Sequence, residues 1–256
     1  MPVAPSPSEI FERAVEEGHR RLDQSLLELV ATGFIAGFTI VFGIAALGQV
    51  HALVKPGFGD VAKIAGSLAF APGVVFLVVG RAELFNENFF DPVAAAVDAD
   101  DSWLLGPLAR LWAVTFVLNF VGGVLFILVF AVEGVLPTDA LSVLETIAEE
   151  LIHRSLLTMF ADAIVGGALV TLLSFLLEAV NGVGSRIALA YAVGFLLALG
   201  PFGHVIVTGL HVVFGMLVGA PVGYGELLQL VLVVTAGNLV GGIGLVTLTH
   251  VAQARG

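Results

Sequence analysis

The chain has 256 residues, 58% of them apolar and only 12% charged, with a formal net charge of −11. A soluble domain carries about a quarter charged residues, so an ordinary soluble enzyme is the wrong starting point. With 10 basic against 21 acidic residues and no cysteine, the composition argues against nucleic-acid binding and excludes disulfides, Fe–S clusters, thiolate zinc and cysteine nucleophiles.

The first 24 residues carry eight charges and no apolar run, so no secretory signal peptide is expected. They read as an amphipathic helix, with Ser6, Pro7 and Glu9 at N-cap, N1 and N3 of a capping box. Ile10, Phe11, Ala14, Val15 and Leu22 fall on one face. Such a helix suits either a membrane surface or a neighbouring subunit, and residues 1–25 form a lead-in to a single transmembrane domain over 26–256.

The gaps between charges define that domain. No Asp, Glu, Lys or Arg lies between Glu28 and Lys55, Lys63 and Arg81, Arg110 and Glu133, Asp162 and Glu178, Arg186 and Glu226, or Glu226 and Arg255. A helix crosses a hydrocarbon core with roughly 20 apolar residues. Six segments follow, at about 27–50, 62–97, 107–132, 155–179, 185–218 and 227–250. The fold class is an all-α membrane protein. With both termini inside, six arginines (Arg13, Arg20, Arg21, Arg110, Arg186, Arg255) face in, and Lys55, Lys63 and Arg154 face out. The acidic stretch 133–154 then reads as a long external loop.

Segments two and five are too long and are interrupted, at Gly80-Arg-Ala-Glu-Leu-Phe-Asn-Glu-Asn88 and at Gly200-Pro-Phe-Gly-His204. Irregular backbone at membrane depth survives only when buried in protein or lining a cavity. The halves, about 26–132 and 155–250, also match: Gly80 and Gly200 lie 120 residues apart, Asn119-Phe-Val-Gly-Gly recurs 119 residues later as Asn238-Leu-Val-Gly-Gly, and Ala36-Gly37 answers Gly166-Gly167 after 130. Three segments per half require the second half to be inverted. A 3+3 inverted repeat with paired broken helices points to a transporter or channel. Most of the small residues have helix packing as their role.

The Gly80-Arg-Ala-Glu-Leu-Phe-Asn86 run, the Phe202-Gly-His204 break and the Asn238-Leu-Val-Gly-Gly motif resemble the formate/nitrite transporter family, across all six segments. The resemblance implies an aquaporin-like subunit with its own pore, a homopentamer in the plasma membrane, and passage of small monovalent anions such as formate or nitrite, in some members with a proton. It places the central pore histidine on His204, the last-segment asparagine on Asn238, and apolar constrictions on Phe70, Val74, Leu84, Phe85 and Leu197. Asn86 stands where the family carries a hydroxyl residue, Ala163 where it often has Asn, and Val-Ile-Val-Thr208 follows the histidine, which marks a divergent branch. No enzyme activity, metal or other cofactor is implied.

His204 lies in a charge-free run, and a charge at mid-membrane costs about 3 to 17 kcal/mol, so a neutral imidazole with one donor and one acceptor is expected. Half-helices starting after 86 and 204 aim N-terminal N–H groups at the pore centre. The expected mechanism is proton sharing between His204 and a weak-acid anion, with Asn86, Thr208 and Asn238 along the pore. His211 reads as a lipid- or interface-facing contact, Asp162 as a hydrogen-bonded acid near the headgroups, and Asn86 as the cap of a helix that begins with Glu87, while Arg81 is expected either to neutralise Glu83 or to stay near outer water. The alternative function is an aquaporin-like channel for a small neutral solute. The paired Asn-Pro-Ala motifs of aquaporins are absent.

Overall fold

The computed structural model describes residues 5–99, 103–200 and 202–256; Pro201, part of the second expected break, lies outside them. The described residues form no strand. Eleven helices follow in order: α1 Pro7–Leu22, α2 Leu26–Phe58, α3 Val61–Val79, α4 Asp91–Asp98, α5 Leu105–Phe130, α6 Thr138–Ile152, α7 Leu156–Glu178, α8 Val183–Leu199, α9 Val205–Val218, α10 Tyr224–Leu239 and α11 Leu248–Arg255. A 3-10 turn covers Phe85–Phe89, and a π-helical stretch, Val240–Thr247, joins α10 to α11.

Serine sets three of the starts. Ser6 and Glu9 close a capping box on α1. Ser25 caps α2 through the N–H of Glu28, and Ser155 caps α7 through that of Thr158.

Five helices are long and apolar enough to cross a membrane: Leu26–Phe58, Val61–Val79, Leu105–Phe130, Leu156–Glu178 and the continuous Tyr224–Arg255. The stretch 185–218, expected as one segment, is divided into α8 of 17 residues and α9 of 14, each short of the roughly 20 that a crossing takes. Large apolar side chains such as Phe42, Phe76, Leu125 and Leu128 face outward.

Two expectations are corrected here. The stretch 133–154 is not a loop but largely helix α6, whose Ala140, Leu144 and Ala148 share one buried face at four-residue spacing. That face meets glycines: a Cβ on Gly48 would collide with Leu144, and one on Gly215 with Ala148. Helix α1 presents its apolar face neither to a lipid surface nor to another subunit. Phe11 and Ala14 pack with Phe90, Ala94 and Val251 of the same chain, and Gly18 lies against the carbonyl of Asp91.

Candidate functional site: two clamped breaks beside a chain of chambers

The breaks are held open by two asparagines. Helix α3 stops at Val79, and the backbone runs irregularly through Arg81, at φ +54°, to extended Leu84. Asn119 of α5 fixes this stretch: its Nδ2 donates to the carbonyls of Glu83 (2.9 Å) and Gly33 (2.8 Å), and its Oδ1 accepts the N–H of Phe85 (2.9 Å). At the second break α8 stops at Leu199 and α9 starts at Val205. Asn238 donates to the carbonyls of Gly203 and Ala163, both at 2.7 Å, and accepts the N–H of Val205 at 2.9 Å. Both asparagines are fully buried, and their bonds to Glu83, Phe85, Gly203 and Val205 replace water for backbone groups that the breaks strip of helical partners.

Asn86 does not cap a helix as expected. Its Nδ2 donates to Asn238 Oδ1 at 2.7 Å, which ties the first break to the second. No side chain caps the Phe85–Phe89 turn.

His204 is the N-cap of α9 and is wholly buried. Its Nδ1 accepts the N–H of Val207 at 3.3 Å, and its own N–H donates to Thr208 Oγ1 at 3.1 Å. A ring nitrogen that accepts carries no proton, so the imidazole is neutral with its hydrogen on Nε2. That Nε2 has no partner among the described residues. The expectation of free N–H groups at this helix start is met by Ile206 at most, because those of His204, Val205 and Val207 are taken by side chains. Among the side-chain groups there, the Nε2–H is the donor left over.

His211, seven residues on, holds the opposite tautomer. Its Nδ1 lies 3.0 Å from the carbonyl of Val207, which only accepts, so Nδ1 donates and Nε2 is the acceptor. Its ring stacks on Phe70 at 6.4 Å, and it lines a chamber rather than lipid or an interface.

Three chambers lie in series. The largest, of about 390 Å³, is lined by Phe70, Leu197, Val207, Thr208 and His211, and by the charged Lys55, Lys63, Arg154, Asp60 and Glu150. Asp162 is not part of that wall; it bonds Arg154 at 3.0 Å. The second chamber shares Leu197 and Val207 with the first, adds Val74, Leu77, Leu84 and Glu87, and measures only about 10 Å³. That is at the lower limit for one water. The third, of about 90 Å³, shares Glu87 with the second and opens beside α1 among Glu17, Arg20, Arg21, Arg81, Glu83 and Glu178.

Of the expected pore residues, Phe70, Leu197 and Thr208 line the first chamber, and Val74, Leu84 and Leu197 the second. The others lie off it. Phe85 packs its ring against Phe89 and Phe116 at 5.0 and 5.1 Å, because the Asn119 clamp turns the backbone there into the helix packing. Asn86 and Asn238 bond each other, and Asn238 bonds backbone groups besides, while Asn86 Oδ1 has no partner among the described residues. His204 lines none of the three chambers, whereas its neighbours Gly203, Val207 and Thr208 line the first.

Sequence reasoning missed the charged cluster under α1. Arg21 is buried, within 3.6 Å of four carboxylates: Glu17 Oε1 (3.1 Å), Asp91 Oδ2 (3.3 Å), Glu83 Oε2 (3.5 Å) and Glu87 Oε1 (3.6 Å). Burial opposes its charge, but those four acids win and raise its pKa well above the usual arginine range. Glu17 is the reverse case: burial raises its pKa, yet the bonds and charges of Arg20 and Arg21 hold it at about 2. Arg81 does not neutralise Glu83; it is exposed and lies 3.9 Å from Glu17. An arginine on an otherwise apolar helix face was the one available signal in the sequence.

Comparison with known proteins gives a consistent answer. The model of the family described as formate/nitrite transporter matches residues 8–252. The chain is 23% identical over 248 residues to the "Inner membrane protein YfdC" of Escherichia coli (strain K12), covering 96% of this chain and 78% of that one. It is 25% identical over 248 residues to the "Formate channel BtFdhC" of Bacillus thuringiensis, covering 96% and 94%. Its fold is similar to a solved structure titled "FNT family ion channel", with a TM-score of 0.83 at 16% identity over 94% of this chain and 97% of that one. A "Pentameric formate channel with formate bound" gives 0.66 at 18% identity, over 88% and 98%. With 245 consecutive residues inside the family match and five helices of membrane-crossing length, the chain belongs to the formate/nitrite transporter family.

Proposed function

We propose that this protein is a channel or transporter for small monovalent weak-acid anions of the formate and nitrite class, and that His204 shares a proton with the passing anion. The observation that carries this reading is the unpartnered Nε2–H of a buried, neutral imidazole at a helix break, on a residue bonded to Thr208 and Val207, which line the first chamber. A buried donor without a partner costs free energy unless a ligand arrives to accept it. An anion in the first chamber meets Lys55, Lys63 and Arg154 and then the apolar throat of Phe70, Leu197 and Leu84. Full dehydration of an anion costs tens of kcal/mol by Born estimates, so an apolar throat favours the neutral acid. The neutral ring keeps its Nε2 proton, since losing it would leave an imidazolate, and shares it with the anion as a hydrogen bond; the proton that makes the neutral acid comes from solution.

The wider reading is a plasma-membrane subunit with six crossings, segments two and five broken, in two inverted halves over about 26–132 and 155–250. Residues 1–25 form its N-terminal element, both termini are cytoplasmic, and five subunits assemble with one path each. The equivalent Asn119 and Asn238 clamps support the repeat, and the named pentameric relative in fold supports the assembly. Asn86 and Asn238 act by holding the breaks in place.

Flux of formate, nitrite, acetate, hydrosulfide and glycerol into proteoliposomes, wild type beside His204→Ala, tests the proposal. Anion uptake that rises as external pH falls, and collapses in the variant, is the expected result. Glycerol flux without anion flux would move the protein to the neutral-solute class. Anion flux untouched by the substitution would overturn the role of His204.

A further inference from the structure

Glu87 occupies a place that an anion path should not give to an ionised carboxylate. It lines both the second and the third chamber and is the residue that the two share, so a solute moving from one to the other passes its side chain. It is only 4% exposed. Oε1 faces Arg21 at 3.6 Å, beyond hydrogen-bond distance, and Oε2 has no partner among the described residues. The chamber it enters is otherwise walled by Ile40, Val74, Leu77, Leu84, Val170 and Leu173 among other apolar residues.

The charges around it do not balance. Arg21 and Arg20 from α1 face Glu17 from α1, Glu83 from the break, Glu87 itself and Asp91 from α4. Glu178 of α7 and, farther out, Arg81 and Arg186 complete the rim. Two close cations meet four close acids, and Asp91 Oδ1 is a second buried oxygen without a partner. Asp91 lines none of the chambers, and Ser174 donates to its other oxygen at 3.0 Å. Glu87 is thus the group that both lacks a donor and stands in the path.

We propose that Glu87 is a proton-binding site of the α1-side half of the path, and that it takes up a proton before an anion can cross between the second and third chambers. The protonated carboxyl gains an O–H that an anion accepts. The ionised form repels the same anion at contact distance inside an apolar wall. The proton comes from water at the α1-side mouth and returns there. No covalent bond to the substrate forms or breaks at this residue. The proposal rests on the reading of the path as an anion path, while its own claim concerns a proton.

Two measurements test it. The first is equilibrium exchange of labelled formate at matched pH on both faces, wild type beside Glu87→Gln, which mimics the protonated carboxyl. Any dependence due to His204 is common to both proteins, so the ratio of variant to wild-type rate isolates Glu87. Above the apparent pKa of Glu87 that ratio should climb by roughly tenfold per pH unit. A ratio that stays constant overturns the proposal. The second uses wild-type protein and needs no transport. An apolar carbodiimide reacts with protonated, buried carboxyls, so a label that peptide mass analysis locates on Glu87 should increase as pH falls. Absence of label on Glu87 at every pH overturns the proposal even where Glu87→Gln fails to assemble. Labelled Glu87 in a protein that moves no anion leaves the proton site standing and removes the transport reading instead.

Discussion

Asn119 and Asn238 make the same three bonds in the two halves of the chain. Each donates to the carbonyl of a break residue and to the carbonyl of a facing helix, and each accepts the N–H two residues beyond the first carbonyl. Aspartate has the same shape but no Nδ2 donor, so Asn119→Asp strands the break carbonyl of Glu83, and Asn238→Asp that of Gly203. Each stranded buried bond costs about 1–3 kcal/mol, and an oxygen then faces each carbonyl. Both variants should unfold well below the wild type in a thermal scan of detergent-solubilised protein. If one substitution is harmless, the clamps are not equivalent.

The facing helices meet these clamps at glycines. A Cβ on Gly37 would overlap the carbonyl oxygen of Asn119, and one on Gly167 that of Asn238. These are backbone clashes within packed helices, with no flexible side chain to give way. Gly37→Ala and Gly167→Ala should each destabilise by about 1–3 kcal/mol or more, as overpacking does. Gly57, also helical, has nothing within 4 Å of its added Cβ. Gly57→Ala should be neutral or stabilising by up to about 1 kcal/mol through helix propensity alone. Thermal midpoints of the three variants check the contrast.

What the sequence made legible was its hydrophobic spacing and its repeats. Charge-free runs located apolar helices, and the Asn-x-Val-Gly-Gly pair marked the two clamps 119 residues apart. Helix α6 was hidden by its acids, although Ala140, Leu144 and Ala148 already carried a helical period. The bonding of Asn86 to Asn238 spans 152 residues, and Arg21 finds Glu83 62 residues away, so neither follows from local pattern. His211 was misplaced for a related reason. Seven residues from His204 put it on a helix face, but which neighbour covers that face depends on Phe70 of α3.

The Arg21 cluster predicts an unusual pH response. Arg21→Met leaves Glu17, Glu83, Glu87 and Asp91 without their central cation, and loss of one partner of a buried pair costs about 3–5 kcal/mol. The folded pKa of Glu17 is depressed from 4.5 to about 2, so its stabilising contribution is present above about pH 4.5 and fades as pH falls toward 2. In the variant the acids lose less on protonation, because less attraction remains to be lost. The gap in Tm between wild type and Arg21→Met should therefore be widest near neutrality and narrow as the solution is acidified. A gap that widens in acid would contradict this account.

Thr208 should matter to the protein through His204. Its Oγ1 accepts the His204 N–H, and its side chain sits on the wall of the first chamber. Thr208→Val keeps the volume but leaves that N–H unpaired, while Thr208→Ser keeps the acceptor. The valine variant should lose about 1–3 kcal/mol of stability and most of its anion flux, and the serine variant should retain both. Equal loss in the two would point to packing of the Thr208 methyl group rather than the hydrogen bond.

Anion entry should also carry a salt signature. Lys55 and Lys63 lie on the wall of the first chamber and are exposed, so their field reaches solution. A Debye length of about 10 Å at 0.1 M salt shrinks to about 3 Å at 1 M, which screens exposed charges of this kind. Focusing of anions by such a mouth raises entry rates at low ionic strength. Formate uptake by the wild type should thus fall several-fold between dilute and 1 M salt of an impermeant anion. In Lys55→Gln/Lys63→Gln it should start lower and vary less, because Asp60 and Glu150 on the same wall then count for more. A double variant with wild-type uptake at low salt would assign the attraction to Arg154 instead.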